Sequence, residues 1–160
     1  MNPTPEGEMQ NQSIEDAISE AEAAEDAGDL DGALAVYARA IAAYPDSPDL
    51  HYLRGRCLFG LDRYPEAIAD LTRALALQPR FLSAFMFRAL ARYATGDHRG
   101  AIADNTAALT FADIEPDVVA RLYYARAMSH EALGEAEEAE QDFDAARRYD
   151  PDGENDPRGE

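Results

Sequence analysis

Few residues in this 160-residue chain are able to carry chemistry: three histidines, one cysteine, and fourteen arginines set among thirty-two carboxylates. A cysteine or serine nucleophile needs an activating base beside it, and no such pairing is spaced along the chain. His51, His98 and His130 fall in unrelated sequence contexts and do not form a metal-ligand pattern. Cys57 is the single thiol, which excludes an internal disulfide and any multi-thiolate metal centre; it reads as a small buried hydrophobe. Arg54-Gly55-Arg56 sits within an apolar-periodic stretch and makes no phosphate cradle. No catalytic residue, metal or cofactor is therefore expected, and the chain reads as a non-enzyme. One charged pattern has a strict spacing: Arg54, Arg88 and Arg126 are followed at one constant interval by Asp70, Asp104 and Asp142. An arginine fork matches a carboxylate bidentately, so three partly buried ion pairs are expected, with a ligand role for these arginines as the alternative.

Such pairs require antiparallel helices to position them, and the sequence supplies these as a repeat. A shift of 34 residues lays Ala67-Ile68-Ala69-Asp70 on Ala101-Ile102-Ala103-Asp104, and a shift of 38 lays Arg88-Ala89 on Arg126-Ala127. Four copies begin near Ile14, Pro48, Leu82 and Ala120. Each reads as two helices with a turn between, as in Leu50–Leu61 and Tyr64–Leu77. Counted from these starts, position 8 is small (Ala21, Gly55, Ala89, Ala127) and so is position 20 (Ala33, Ala67, Ala101, Ala139). Position 24 is bulky in three copies (Tyr37, Leu71, Phe143), and Pro45, Pro79 and Pro151 end second helices.

These residues resemble the tetratricopeptide repeat family over about Ile14 to Pro151. The resemblance implies an all-α, right-handed superhelical solenoid of four antiparallel helix pairs, whose stacking buries faces that no pair covers alone. The expected layout is a disordered acidic tail over 1–12, a repeat domain over 13–151 and a second disordered acidic tail over 152–160. The copies occupy about 14–47, 48–81, 82–115 with a loop to 119, and 120–151. The first copy departs from the pattern with Ala17, Glu20 and Ala24, and the third with Asn105 at position 24 and Asp113 in place of the proline. Pro116 suits the start of the next helix, and the four extra residues before the fourth copy imply an altered angle between the last two pairs. With no further helix after Pro151, the last helix, expected over Ala136–Tyr149, must itself cap the stack.

The resemblance also implies a concave groove lined by first helices. The positions that face it in this family are Tyr52, Arg56 and Phe59 with Asp49 in the second copy. In the third they are Met86, Leu90 and Tyr93 with Ser83, and in the fourth Arg121, Tyr124 and Met128 with Glu131. In the first copy they are Glu15, Ile18, Glu22 and Glu25. Spacings of three and four keep each set on one helix face. Such a groove is apolar and aromatic, with flexible methionines and two arginines, and fits a peptide segment with apolar anchors. The opposing reading is that part of the stripe is packed and not open. The subgroup that clamps chaperone C-terminal carboxylates uses lysine and asparagine on these faces, and this chain has no lysine.

The expected function is a non-catalytic protein–protein interaction module, acting as an adaptor, assembly factor or co-chaperone. A self-associating scaffold or a regulatory subunit of an enzyme complex is the alternative. The net charge of −18 argues against nucleic acid and against an anionic membrane as partners. That charge is carried by the ends: residues 1–32 hold −10, residues 33–134 hold 0 and residues 135–160 hold −8. Acidic ends keep a stack soluble and discourage end-to-end association. There is no apolar run of membrane-spanning length and no basic start with an apolar stretch, so the chain reads as cytoplasmic.

Overall fold

The structure, a computed structural model, describes residues 13–159. The N-terminal tail expected over 1–12 lies outside the described residues. Among the described residues there are eight α-helices and no strand. They form four pairs: α1 (Ile14–Asp26) with α2 (Leu30–Ala43), α3 (Pro48–Gly60) with α4 (Tyr64–Leu77), α5 (Leu82–Ala94) with α6 (His98–Ala108), and α7 (Pro116–Ala132) with α8 (Ala136–Arg147). The backbone divides into two compact units, one ending at Pro79 and the next beginning at Arg80. Each unit holds two pairs.

Local chemistry sets the helix ends. Ser13 and Asp16 form a reciprocal capping box at the start of α1. Asp29 and Asp97 accept hydrogen bonds from the backbone N–H groups of Gly32 and Gly100, both at 2.9 Å, and so cap α2 and α6. The turns within three pairs place Gly28, Gly96 and Gly134 at φ of 78°, 81° and 74°. In the second pair Asp62 takes that left-handed geometry at φ 57°, which Asp tolerates better than most residues. Its carboxylate accepts the Tyr64 hydroxyl at 2.5 Å.

In the unit ending at Pro79, the core joins Ala21, Ala33, Tyr37, Leu50 and Leu53. The small position 8 explains the close approach of the helices: a Cβ on Gly55 would stand 2.8 Å from Leu71 Cγ. In the unit beginning at Arg80, Ala127, Ala139, Phe143 and Ala146 close around Tyr124.

Two features differ from the sequence reading. The loop expected to reach residue 119 ends at Glu115, and residues 116–119 form the first turn of α7. Four residues are close to one helical turn, so the insertion lengthens α7 to 17 residues against 13 for α5. Pro116 is accommodated because its missing N–H would have no intrahelical partner. Residues 152–159, expected as a disordered tail, run in successive turns. The buried Asp150 carboxylate anchors them by accepting the backbone N–H groups of Glu154 at 3.1 Å and Asn155 at 2.8 Å. The Arg158 guanidinium lies 3.6 Å from the centre of the Phe143 ring. This segment therefore shares the capping that the sequence assigned to the last helix alone.

Candidate functional site

The three ion pairs form as the spacing requires. Arg54 grips Asp70 at 2.6 and 2.7 Å, Arg88 grips Asp104 at 2.9 and 2.7 Å, and Arg126 grips Asp142 at 2.7 and 2.6 Å. All three aspartates are buried. Hydrogen bonding to Asp70 and Asp142 raises the pKa of Arg54 and Arg126. These arginines thus join the two helices of a pair. Arg126 also donates to Thr106 Oγ1 at 3.1 Å, on the preceding pair. The first pair, which lacks the motif, uses Arg39 and Glu20 at 2.8 Å on its surface.

The histidines are absorbed structurally. His51 is buried between Asp70 Oδ1 at 3.4 Å and the Pro45 carbonyl at 2.9 Å. His98 meets the Tyr93 ring edge-on at 5.1 Å. His130 Nδ1 lies 2.7 Å from Glu135, with Asp142 3.9 Å from Nε2. Among the described residues no cluster of three metal-ligating side chains exists.

Cys57 is buried, and its Sγ points at the Leu30 carbonyl at 3.6 Å. Burial, aided by the Glu25 carboxylate, pushes its pKa up to about 11. A thiol this far from ionisation is a poor nucleophile. Alkylation by iodoacetamide at pH 8 is expected to run at least ~10-fold slower on the folded protein than in urea. Equal rates would show the thiol to be at the surface.

The expected groove residues divide between the units. In the unit ending at Pro79 the stripe is largely committed to its own fold. Tyr52 packs on the core, and Phe59 meets Tyr64 at 5.4 Å. Arg56, expected as a positive point for a ligand, donates to Glu25 Oε2 at 2.8 Å, while the Tyr37 hydroxyl donates to Glu25 Oε1 at 2.7 Å. Burial and that carboxylate raise the Tyr37 pKa. Glu25 comes from the acidic first pair, so one of its carboxylates balances the arginine of the next.

In the unit beginning at Arg80 the stripe encloses space. Leu90 and Tyr93 on α5 face Arg121, Tyr124 and Met128 on α7 across a cavity of about 260 Å³. Met86, one turn earlier on α5, does not line it. Leu90 is 44% exposed beside this cavity. Tyr124, expected as a groove anchor, is only 2% exposed. Burial is the main cause that raises its pKa, with the nearby Asp150 and Asp156 carboxylates adding to it. Its hydroxyl nevertheless has no partner at hydrogen-bonding geometry. Arg121 is exposed and pairs with Asp117 one turn away at 3.1 Å. The cavity is therefore apolar, with no unpaired cation among its walls.

Six wall residues were absent from the groove expectation: Ala89 on α5, Asn105 on α6, Ala125 and Ser129 on α7, and Asn155 and Pro157 of the C-terminal segment. Asn105 was visible as a break in the pattern at position 24. Nothing local marked Asn155 and Pro157, because their role depends on the chain folding back.

Helix pairs of this length, joined internally by Arg–Asp forks and offering a first-helix face, define an α-helical repeat protein. Tetratricopeptide repeat models match residues 18–79, 58–117 and 120–152, and the chain belongs to that family, which makes it a protein-interaction or scaffold module. Among solved structures it is similar to a crystal structure of MamA, with a TM-score of 0.81 at 22% identity, covering 92% of this chain and 82% of that one. It is also similar to MamA from Desulfovibrio magneticus RS-1, with a TM-score of 0.77 at 18% identity, covering 84% and 74%. A curated relative, serine/threonine-protein phosphatase T of Aspergillus oryzae (strain ATCC 42149 / RIB 40), is 38% identical over 68 residues. Those residues are 42% of this chain, which spans only 14% of that protein. Among the described residues no helix is long and apolar enough to cross a membrane.

Proposed function

We propose that the chain is a non-catalytic adaptor that holds a segment of a partner protein against the α5–α7 face of the unit beginning at Arg80. The observation that supports this reading is the exposed Leu90 at the mouth of an apolar cavity walled by Tyr93, Tyr124 and Met128. Flexible thioether and aromatic walls around an exposed aliphatic anchor are what a peptide groove requires. Because Arg56 and Arg121 already have carboxylate partners, recognition is apolar and not directed at an acidic group. The described N-terminal and C-terminal segments are acidic, which disfavours anionic partners such as nucleic acid.

The test compares partner capture by the intact chain, by Leu90→Asp and by Tyr149→Ser. Among the described residues Tyr149 is the other large exposed apolar side chain, 46% exposed on a different part of the same unit. Capture is expected to fall at least ~10-fold for Leu90→Asp alone, as for loss of an interface anchor. Equal capture by Leu90→Asp and the intact chain overturns the reading. Size measurement over a dilution series shows whether the captured partner is a second copy.

A further inference from the structure

Position 24 is where the other three pairs fill the gap between their own helices. Tyr37, Leu71 and Phe143 are all fully buried there, and each faces a small residue at position 8. In the third pair that position is Asn105, which has no ring or branched aliphatic end with which to reach Ala89. Asn105 and Ala89 both line the 260 Å³ cavity. The space thus adjoins the position where the third pair lacks a bulky core side chain, and it opens towards the first-helix face.

The wall of this apolar space also carries polar side chains. Asn105, 3% exposed, puts its side-chain amide into the wall. Tyr124, in the same wall, has its hydroxyl buried without a hydrogen-bond partner. A buried polar group left unmet costs free energy and calls for an explanation. Around the Asn105 amide and the Tyr124 hydroxyl stand the rings of Tyr93 and Tyr124 and the thioether of Met128, surfaces that favour an aromatic guest. An apolar cavity of about 150 Å³ is enough to take up benzene, so this larger one accepts a ring with a substituent. Arg121 is already paired, and Asp150 and Asp156 lie close to Tyr124. An anionic guest is therefore disfavoured and a neutral one preferred.

We infer that the cavity is a receptor for a phenol ring, the side chain of a tyrosine in the partner segment, whose hydroxyl bonds the Asn105 amide. The cavity chemistry stands on Asn105 and its walls. The choice of a protein tyrosine as the source rests on the interaction reading above.

The experiment titrates phenol and, separately, toluene into the full chain while following the methyl NMR signals of Leu90 and Met128. Toluene matches the ring and its substituent in size but makes no hydrogen bond. Phenol is expected to bind at least ~5-fold more tightly, in line with one neutral hydrogen bond. Asn105→Leu is expected to abolish that preference while still admitting toluene. Asn105→Phe puts the ring found in the last pair in place of the amide, narrows the space and is expected to weaken phenol binding. Circular dichroism on each variant confirms that it is folded, and a variant that does not fold leaves the decision to the phenol-to-toluene ratio of the intact chain. Equal affinities, no binding of either probe because only water occupies the space, or unchanged phenol binding in folded Asn105→Phe each overturn the inference. These outcomes are independent of partner capture by Leu90→Asp, so failure of the cavity and failure of the adaptor reading are told apart. With a captured partner in hand, its tyrosine-to-phenylalanine variant is expected to bind at least ~5-fold more weakly; unchanged binding removes the tyrosine assignment.

Discussion

Arg126→Ala is expected to lower unfolding free energy by about 3 kcal/mol, the low end of the cost of stripping one partner from a buried ion pair. Asp142, with a side chain 8% exposed, receives both arms of the Arg126 fork at 2.7 and 2.6 Å. Alanine leaves that carboxylate in a nearly dry site with only His130 nearby, at 3.9 Å. It also removes the donation to Thr106 and the packing of the guanidinium over the Tyr123 ring at 5.3 Å. Arg88→Ala offers the internal comparison. Its partner Asp104 keeps a second arginine, Arg92, at 2.8 Å, so the loss there should be smaller than at Arg126. Replacing both partners, as Arg126→Met with Asp142→Leu, should restore most of the stability, because an apolar pair of similar volume leaves no stranded charge. Urea unfolding followed by circular dichroism measures all three. A loss within 0.5 kcal/mol of zero for Arg126→Ala, the range of ordinary surface substitutions, would remove the claim that the fork holds the pair together.

Phe143→Ala is expected to cost about 3–5 kcal/mol, the range for truncating a buried aromatic. Phe143 is fully buried, lies 6.2 Å from Tyr124 between ring centres, and carries Arg158 on its face. The ring therefore does two things: it fills position 24 of the last pair and it provides the platform for the C-terminal segment. Its loss should also release that segment, read as faster tryptic cleavage after Arg158. Arg158→Ala separates the two effects, since it removes the cation–ring contact, worth about 0.5–1 kcal/mol at an exposed site, and the surface ion pairs of Arg158 with Glu140 and Asp156, but no core side chain. It should leave the core intact. Unchanged thermal unfolding in Phe143→Ala would contradict the packing described for the last pair.

Much of the fold can be read from the chain because each helix pair is a local object. The periodic small residues at positions 8 and 20 mark where two neighbouring helices touch. The glycines in three turns and the prolines after three second helices mark where helical geometry stops. The bounds expected for Tyr64–Leu77 coincide with those of α4. The Arg–Asp forks follow from the same locality: their partners lie at one constant separation across one turn, so the antiparallel fold of a single pair brings them together. The break at Asn105 was likewise visible as a departure from a strong pattern.

The state of the groove was not visible in this way, because it depends on residues remote in sequence. Whether Arg56 is free to meet a ligand depends on Glu25, 31 residues earlier in the chain. Whether Tyr124 is an exposed anchor or a buried wall depends on the packing of α8 and on the segment after Asp150 folding back. Composition marks that segment as an acidic tail, yet two backbone hydrogen bonds to a buried carboxylate and one guanidinium on one ring hold it in place. Helical periodicity and short-range offsets dictate the pairs and their internal ion pairs, since both are settled by contacts within about one repeat. Which aromatic residues stay open, and that a space persists beside Asn105, is settled by long-range packing that no local pattern encodes.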